Sequence, residues 1–235
     1  MEDWLFQGDC LEEMQGLKSG SVDMVLADLP YGTTACKWDT RIPFEPLWEQ
    51  FHRVCKPNAA LAMFGSEPFS SLMRMSNLKR FKYDWVWLKS NGGGFLNANR
   101  QPLKRHELVS VFSCKQTSYY PQKTSGKKYR CTRASAGETT QDQTVAGWVT
   151  ENDGSRFPLS YQKVSSETGF HPTQKPVVLL EYLIKTYTKE GDTVLDPTMG
   201  SGSTGVACKN LKRNFIGIEL NPEYYKIALR RIRNG

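Results

Sequence analysis

Apolar residues in this 235-residue chain fall into short continuous runs, separated by segments in which they recur every three or four positions. Runs at 4–6, Val22–Ala27, 59–65, 108–112, Thr193–Asp196 and 215–220 predict strands, several of them buried on both faces. Phe81, Tyr83, Trp85 and Trp87 alternate with polar neighbours, as a half-buried strand should. Helical spacing joins Leu11, Met14 and Leu17, then Leu47, Phe51 and Val54 up to a stop at Lys56-Pro57. It returns over 68–78 through Phe69, Leu72, Met73 and Met75. Pro176 starts a further helix with Val177, Leu180, Leu183, Ile184 and Tyr187 on one face, and another runs through Val206, Ala207 and Leu211. A last one follows Asn221-Pro222, and its terminal Arg230, Arg231 and Arg233 suit a helix C-terminus, so no binding role is expected of them. Strands alternating with helices predict one α/β domain over 1–235, with a mostly parallel sheet covered by helices on both faces.

The pattern lapses twice. Asn91-Gly92-Gly93-Gly94-Phe95 predicts a mobile loop between two strands. Between 115 and 169 no period survives: Ser, Thr, Gln, Lys and Gly predominate, with Tyr119, Tyr120, Tyr129, Trp148 and Tyr161 isolated among them. So long a patternless stretch inside a compact domain is functional or disordered. The expectation is an irregular basic and polar insert over 115–170 that recognises a target.

Charge sharpens that expectation. The net charge is +7, yet residues 89–133 alone hold ten Lys or Arg against one acid, Glu107. A nearly neutral body with a basic region attached is the footprint of a nucleic-acid binder. Within that region Arg100, Lys104, Arg105, Lys123, Lys127, Lys128, Arg130 and Arg133 are the candidate phosphate contacts. No run approaches the roughly 20 apolar residues of a membrane span, and Met-Glu-Asp-Trp-Leu does not read as a signal peptide. The six cysteines include no C-x-x-C, and His52, His106 and His171 form no cluster. These features predict a reduced, cytoplasmic protein without a metal site or membrane partner.

Candidate chemistry begins where Val22–Ala27 stops, at Asp28-Leu29-Pro30-Tyr31-Gly32. The carboxyl-terminal edge of a parallel sheet is where such folds bind ligands. Asp28 and the carbonyl of Leu29, fixed by Pro30, can each accept a hydrogen from an amine, and Tyr31 offers a flat face to a planar ring. Those four residues outline a pocket for a heteroaromatic base carrying an amino group. Taken alone, the same residues are also ordinary turn chemistry.

The C-terminal third favours the pocket. Asp196-Pro197-Thr198-Met199-Gly200-Ser201-Gly202-Ser203-Thr204 forms a glycine-rich turn between a strand and a helix, and Glu219 ends the next strand. Glycines let a ligand approach the backbone, a helix N-terminus favours an anionic group, and the acid can hold ribose hydroxyls. Gly200, Gly202 and Gly205 also spell the G-x-G-x-x-G of dinucleotide sites, and a nicotinamide-dependent oxidoreductase is the competing reading. However, the first glycine of such sites closely follows the strand, whereas here Asp196-Pro197-Thr198-Met199 intervenes, and Asp196 beside the turn would repel a pyrophosphate. A cationic cofactor with one nucleoside suits the turn better, and S-adenosylmethionine is such a molecule.

Taken together, Asp28-Leu29-Pro30-Tyr31, His171-Pro172-Thr173-Gln174-Lys175-Pro176 and the 196–204 turn, in this order, resemble the DNA amino-methyltransferases. The similarity is to the subgroup whose catalytic half precedes its cofactor half. Gly8-Asp9-Cys10, Trp87-Leu88-Lys89 and His106-Glu107 resemble that family's flanking segments, so the likeness spans about 4–113 and 171–233. It implies a Rossmann-like methyltransferase fold, S-adenosylmethionine as cofactor and double-stranded DNA as substrate. It also implies that Asp28 and the Leu29 carbonyl hold a flipped-out target amine, with Pro30 shaping the corner and Tyr31 stacking on the base. Asp9, Cys10, His171, Lys175, Pro176, Asp196, Pro197, Gly200, Ser201, Gly202, Ser203, Thr204 and Glu219 would surround the cofactor. Leu29 departs from the family's D-P-P-Y, at a position that contributes only a carbonyl. A leading aspartate, where cytosine enzymes more often carry serine, points to N6 of adenine over N4 of cytosine. An RNA or protein amide as acceptor shares the pocket logic, and a non-catalytic nucleic-acid-binding module is a further alternative. A homodimer and a cognate restriction enzyme are partners that the resemblance admits.

Overall fold

The computed structural model describes residues 3–32, 40–132, 149–167, 169 and 174–234. The first half contains β1 (Asp3–Gln7), α1 (Cys10–Gln15), β2 (Val22–Ala27), α2 (Phe44–Val54), β3 (Cys55–Gly65), α3 (Phe69–Ser76), β4 (Phe81–Gly93) and β5 (Lys104–Phe112). Five short strands follow: β6 (Thr124–Ser125), β7 (Tyr129–Thr132), β8 (Val149–Asn152), β9 (Ser155–Arg156) and β10 (Tyr161–Lys163). The chain ends with α4 (Val177–Tyr187), β11 (Thr193–Asp196), α5 (Ser203–Asn210), β12 (Asn214–Glu219) and α6 (Pro222–Asn234).

Eight strands form one sheet in the order β1-β12-β11-β2-β3-β5-β4-β10, in which β5 alone runs antiparallel to its neighbours. Alternate residues of β2 enter different cores. Met24 and Leu26 pack with α4, α5 and α6 through Leu180, Leu183, Ala207 and Ile232. Val25 and Ala27 pack with α1, α2 and α3 through Met14, Leu47, Phe51 and Met73. Helices therefore cover both faces, which is why the central strands read as continuous apolar runs. The Tyr187 hydroxyl, buried inside the first core, accepts from Trp85 Nε1 at 2.7 Å and meets the Tyr83 hydroxyl at 3.0 Å. Among the described residues no helix is long and apolar enough to cross a membrane.

The structure departs from the expected elements in three places. Helix α2 stops at Val54, just ahead of Lys56-Pro57 as expected, but strand β3 starts at Cys55, so that dipeptide lies inside a strand. Pro57 falls where the β2–β3 register shifts between Val22 and Met24, and its missing N–H costs no ladder bond there. The glycines expected in a mobile loop partly belong to β4, with Gly93 paired to Lys104. Regular structure also exists within 115–170. Strand β10 joins the main sheet beside β4, and Pro121–Leu159 forms a compact unit apart from Met1–Tyr120 with Ser160–Gly235. Within that small unit β6 pairs with β9 and β7 with β8, both antiparallel. Lys123 sits over the ring of Phe157 and Arg156 over that of Tyr129. Strands of two to four residues are too short for a period to announce them.

Candidate active site

Strands β2 and β11 are parallel neighbours, with Leu195 opposite Val25. From β2 the chain crosses through α2 to β3 on one side, whereas from β11 it crosses through α5 to β12 on the other. Their carboxyl ends thus form a topological switch point, where open α/β sheets place their ligands. A cleft of about 590 Å³ lies there, lined from one side by Asp28, Leu29, Pro30 and Tyr31 and from the other by Asp196 to Ser201. The two motifs touch: the Thr198 hydroxyl donates to the carbonyl of Asp28 at 3.0 Å.

Three glycines in and after the turn do three different jobs. Gly200 has φ 51°, faces open space where a side chain would point, and donates its N–H to Glu219 Oε2 at 2.9 Å. Gly202 has φ 80°, and a Cβ there would come within 2.9 Å of Ala228 on α6. Gly205, inside α5, lets that helix close onto Ile232 and Phe215. Gly200 therefore forms cleft wall, while the other two permit close packing behind it. Asp196 is buried and accepts from the Thr204 hydroxyl at 2.6 Å and the Thr198 N–H at 3.1 Å. Burial pushes its carboxyl up to about 7 against those two hydrogen bonds, with Asp28 and Glu219 adding repulsion. Burial likewise raises Glu219, whose Oε1 accepts from the Asn221 N–H at 2.8 Å.

The opposite wall is built from charge. Asp28 Oδ1 accepts from the Tyr31 hydroxyl at 2.9 Å, and Asp28 Oδ2 is paired with Lys175 Nζ. The Lys175 ammonium lies over the ring of Phe64 and 3.6 Å from Glu107 Oε2. Glu107 Oε1 is in turn paired with Lys89. The result is a chain of alternating charge, Lys89, Glu107, Lys175 and Asp28. Burial alone would lower Lys175, but Asp28 and Glu107 outweigh it and raise its pKa. Burial would raise Glu107, and the two lysines hold it below the ordinary carboxylate range. The Tyr31 ring stacks on Phe69 with centroids 4.7 Å apart and 22° between planes. Leu29 is buried among the α1–α3 core residues, so the departure from proline there adds an apolar anchor to the corner.

Most of the candidate cofactor residues converge on this cleft. Asp9, Cys10, Lys175, Asp196, Pro197, Gly200, Ser201, Ser203, Thr204 and Glu219 all line it. Asp9 also caps α1 by accepting from the Leu11 N–H at 2.8 Å, and burial pushes the Cys10 thiol up to about 12. Pro176 and Gly202 stand behind the lining, the first capping α4. Lys175 reaches Asp28 directly, a placement beyond its expected neighbourhood. His171 and Arg133 lie outside the described residues. The candidate phosphate contacts are divided between the main body and the small unit. Lys104 bonds the Ser66 hydroxyl, Arg105 donates to the carbonyls of Lys89 and Ser90, and Arg100 is exposed. In the small unit Arg130 meets Glu151 at 3.5 Å, and Lys127 and Lys128 are exposed.

Two functional side chains were not singled out from the sequence. Glu107 was visible as the one acid within a basic stretch, a signal that it neutralises something buried. Arg231 corrects the expectation that the last helix's arginines only complement its dipole. Its Nη1 donates to the Ser201 carbonyl at 2.8 Å and the Ser201 hydroxyl at 2.9 Å, and it reaches the Ser203 hydroxyl at 3.2 Å. It therefore fixes the glycine turn from behind.

The N6/N4 DNA methylase family model matches residues 22–230. The type II methyltransferase M.HpaI of Haemophilus parainfluenzae is 28% identical over 253 residues, spanning 99% of this chain and 74% of that protein. A shorter match, 56% identical over 71 residues, relates 30% of this chain to 26% of the type II methyltransferase M2.DpnII of Streptococcus pneumoniae. Among solved structures, the M1.HpyAVI–SAM complex superposes with a TM-score of 0.66 and 27% identity, covering 97% of this chain and 99% of that one. The cytosine-N4-specific PvuII DNA methyltransferase, 15% identical, shares the fold with a TM-score of 0.70 over 98% of this chain and 86% of its own.

Proposed function

This chain belongs to the N6/N4 DNA methylase family, and we propose that within it the protein methylates N6 of adenine in double-stranded DNA. Its cofactor is S-adenosylmethionine, the ligand in the solved complex of M1.HpyAVI. The cleft residues fit that molecule. Gly200 leaves open space at the wall, and the buried Asp196 and half-buried Glu219 are acids held by neutral donors that a cationic ligand would complement. The bound cofactor supplies a methyl group already activated on a sulfonium, so the protein's task is positioning.

Asp28 and the carbonyl of Leu29 accept the two hydrogens of the target amine, drawing its lone pair out of conjugation and toward the cofactor. Tyr31 and Lys175 hold Asp28 in place for this. A target amine must share or take over an acceptor that Lys175 now occupies. Glu107 Oε2, buried and without a hydrogen bond, is the acceptor to which Lys175 can turn. The amine is hidden inside a duplex, so the base must be extruded into the cleft, at a cost on the order of a few kcal/mol. The observation that carries this reading is the Thr198–Asp28 hydrogen bond, which fastens the amine-accepting corner to the glycine turn.

Asp28 at the head of the motif supports adenine over cytosine. The type II designation of M.HpaI and M2.DpnII supports action at a defined sequence, alongside a cognate restriction enzyme. We assign target recognition to the basic and polar region 115–170. Digestion of enzyme-modified DNA to nucleosides, followed by mass analysis, tests the assignment. N6-methyladenine is expected. N4-methylcytosine would overturn the choice of base while keeping the amine pocket, and 5-methylcytosine or an unmodified duplex would overturn both. RNA or protein accepting methyl in preference to DNA would redirect the substrate.

A further inference from the structure

We propose that Phe95 and Leu96 form an apolar wedge that enters the base stack of duplex DNA and holds open the gap left by the extruded target. The inference rests on the base-extrusion reading above. Strands β4 and β5 make a long hairpin whose last pair is Gly93 with Lys104, so residues 94–103 form its tip. Phe95 is 78% exposed and Leu96 fully so, with Leu103 partly exposed nearby. The tip is held by its own backbone. Gly94 has φ 84°, Asn97 and Ala98 donate to the carbonyls of Gly94 and Phe95, and Arg100 and Gln101 both donate to that of Asn97. Two large apolar side chains are thus presented on a built turn, where Asn and Ser would serve a loop with no partner.

What covers them is indicated by charge and position. Between 90 and 106 the chain carries Arg100, Lys104 and Arg105 and no acid, a surface suited to a phosphate backbone. The hairpin also borders the reaction site. Glu107 lines the cleft and contacts Lys175, and Lys104 is three strand positions from it, about 10 Å at ~3.3 Å per residue. DNA-distorting proteins insert Phe or Leu between base steps in this way, and unstacking is then set against a more open duplex.

The test compares wild type with Phe95→Ala/Leu96→Ala on three duplexes bearing the site mapped by sequencing modified DNA. The target base is normally paired, mismatched, or opposite an abasic position. The double variant should methylate the paired duplex roughly tenfold more slowly, yet match wild type closely on the other two, and Phe95→Leu should recover most of the loss. Equal slowing on all three would reduce the tip to a general DNA contact, and no slowing on the paired duplex would remove it from the reaction. A change of sedimentation from dimer to monomer accompanying the loss would give the surface to a second copy of the chain. Each of these three results overturns the wedge. With 2-aminopurine as target, wild-type fluorescence should rise on binding and the variant's should rise less. A wild type with no rise would refute extrusion, and the wedge with it. A full rise in both proteins would refute the wedge alone.

Discussion

The glycine turn after β11 and the Asp28 corner after β2 face one cleft, but they are held in different ways. Neutral donors surround the acids of the turn: Thr204 and the Thr198 N–H on Asp196, the Gly200 and Asn221 N–H groups on Glu219. Close packing on α6 and the hydrogen bonds of Arg231 support it from behind. The corner depends on ion pairs that run from Lys89 through Glu107 and Lys175 to Asp28. The difference suits two tasks. A turn whose acids are held by neutral groups has negative potential left for a cation. A corner tied by ion pairs can exchange one partner for an incoming amine while keeping its charge balanced.

If that division is real, substitutions on the two walls should separate cofactor binding from methyl transfer. Asp28→Ala should lower methyl transfer by on the order of a thousandfold, with the S-adenosylmethionine Kd from calorimetry nearly unchanged. Equal loss of both would merge the two walls into one. Gly202→Ala sets a Cβ 2.9 Å from Ala228 at a φ of 80°, where L-residues are strained. A cost of about 2 kcal/mol should lower Tm by roughly 4–8 °C and weaken cofactor binding, and an unshifted Tm would show that α6 packing does not shape the turn.

Smaller effects sharpen the contrast. Glu107→Gln removes the charge that Lys175 and Lys89 share, and should lower kcat roughly tenfold while leaving cofactor affinity alone. A fall confined to cofactor affinity would assign Glu107 to the wrong wall. The Asp196 carboxyl titrates at about 7, well above its ordinary 3.8, so near pH 6 it carries a proton in the free protein. A cationic ligand favours the ionised form and expels that proton. Affinity for S-adenosylmethionine should therefore rise with pH up to about 7 and level off above it. Calorimetry in buffers of different ionisation enthalpy should register proton release below neutrality, and proton uptake would reverse the sign of the account.

Some of this was legible in the sequence because it is local. The run Val22–Ala27, its abrupt end at Asp28 and the spacing of Gly200, Gly202 and Gly205 announce a buried strand, a corner and a turn. Proline at the start of α4 and Asn221 before α6 mark helix starts just as plainly. What stayed hidden comes from pairing between distant segments. Nothing near Glu107 says that it will meet Lys175, and nothing near Arg231 says that it will reach back to Ser201. Lys56-Pro57 marks the end of α2 but hides the start of β3, because its proline occupies a register shift in that strand. The strands within 115–170 escaped because side-chain alternation needs more than two to four residues to show.

The central claim is that one cleft holds the target amine and the methyl donor side by side. It can be measured with a linked analogue in which N6 of adenosine is tethered through a short alkyl bridge to the methyl position of an S-adenosylmethionine-like nucleoside. Such a molecule should bind more tightly than S-adenosylmethionine by roughly tenfold or more, and Asp28→Ala should abolish that advantage without weakening S-adenosylmethionine itself. A linked analogue that binds no better than the cofactor alone, or whose advantage survives Asp28→Ala, would contradict it.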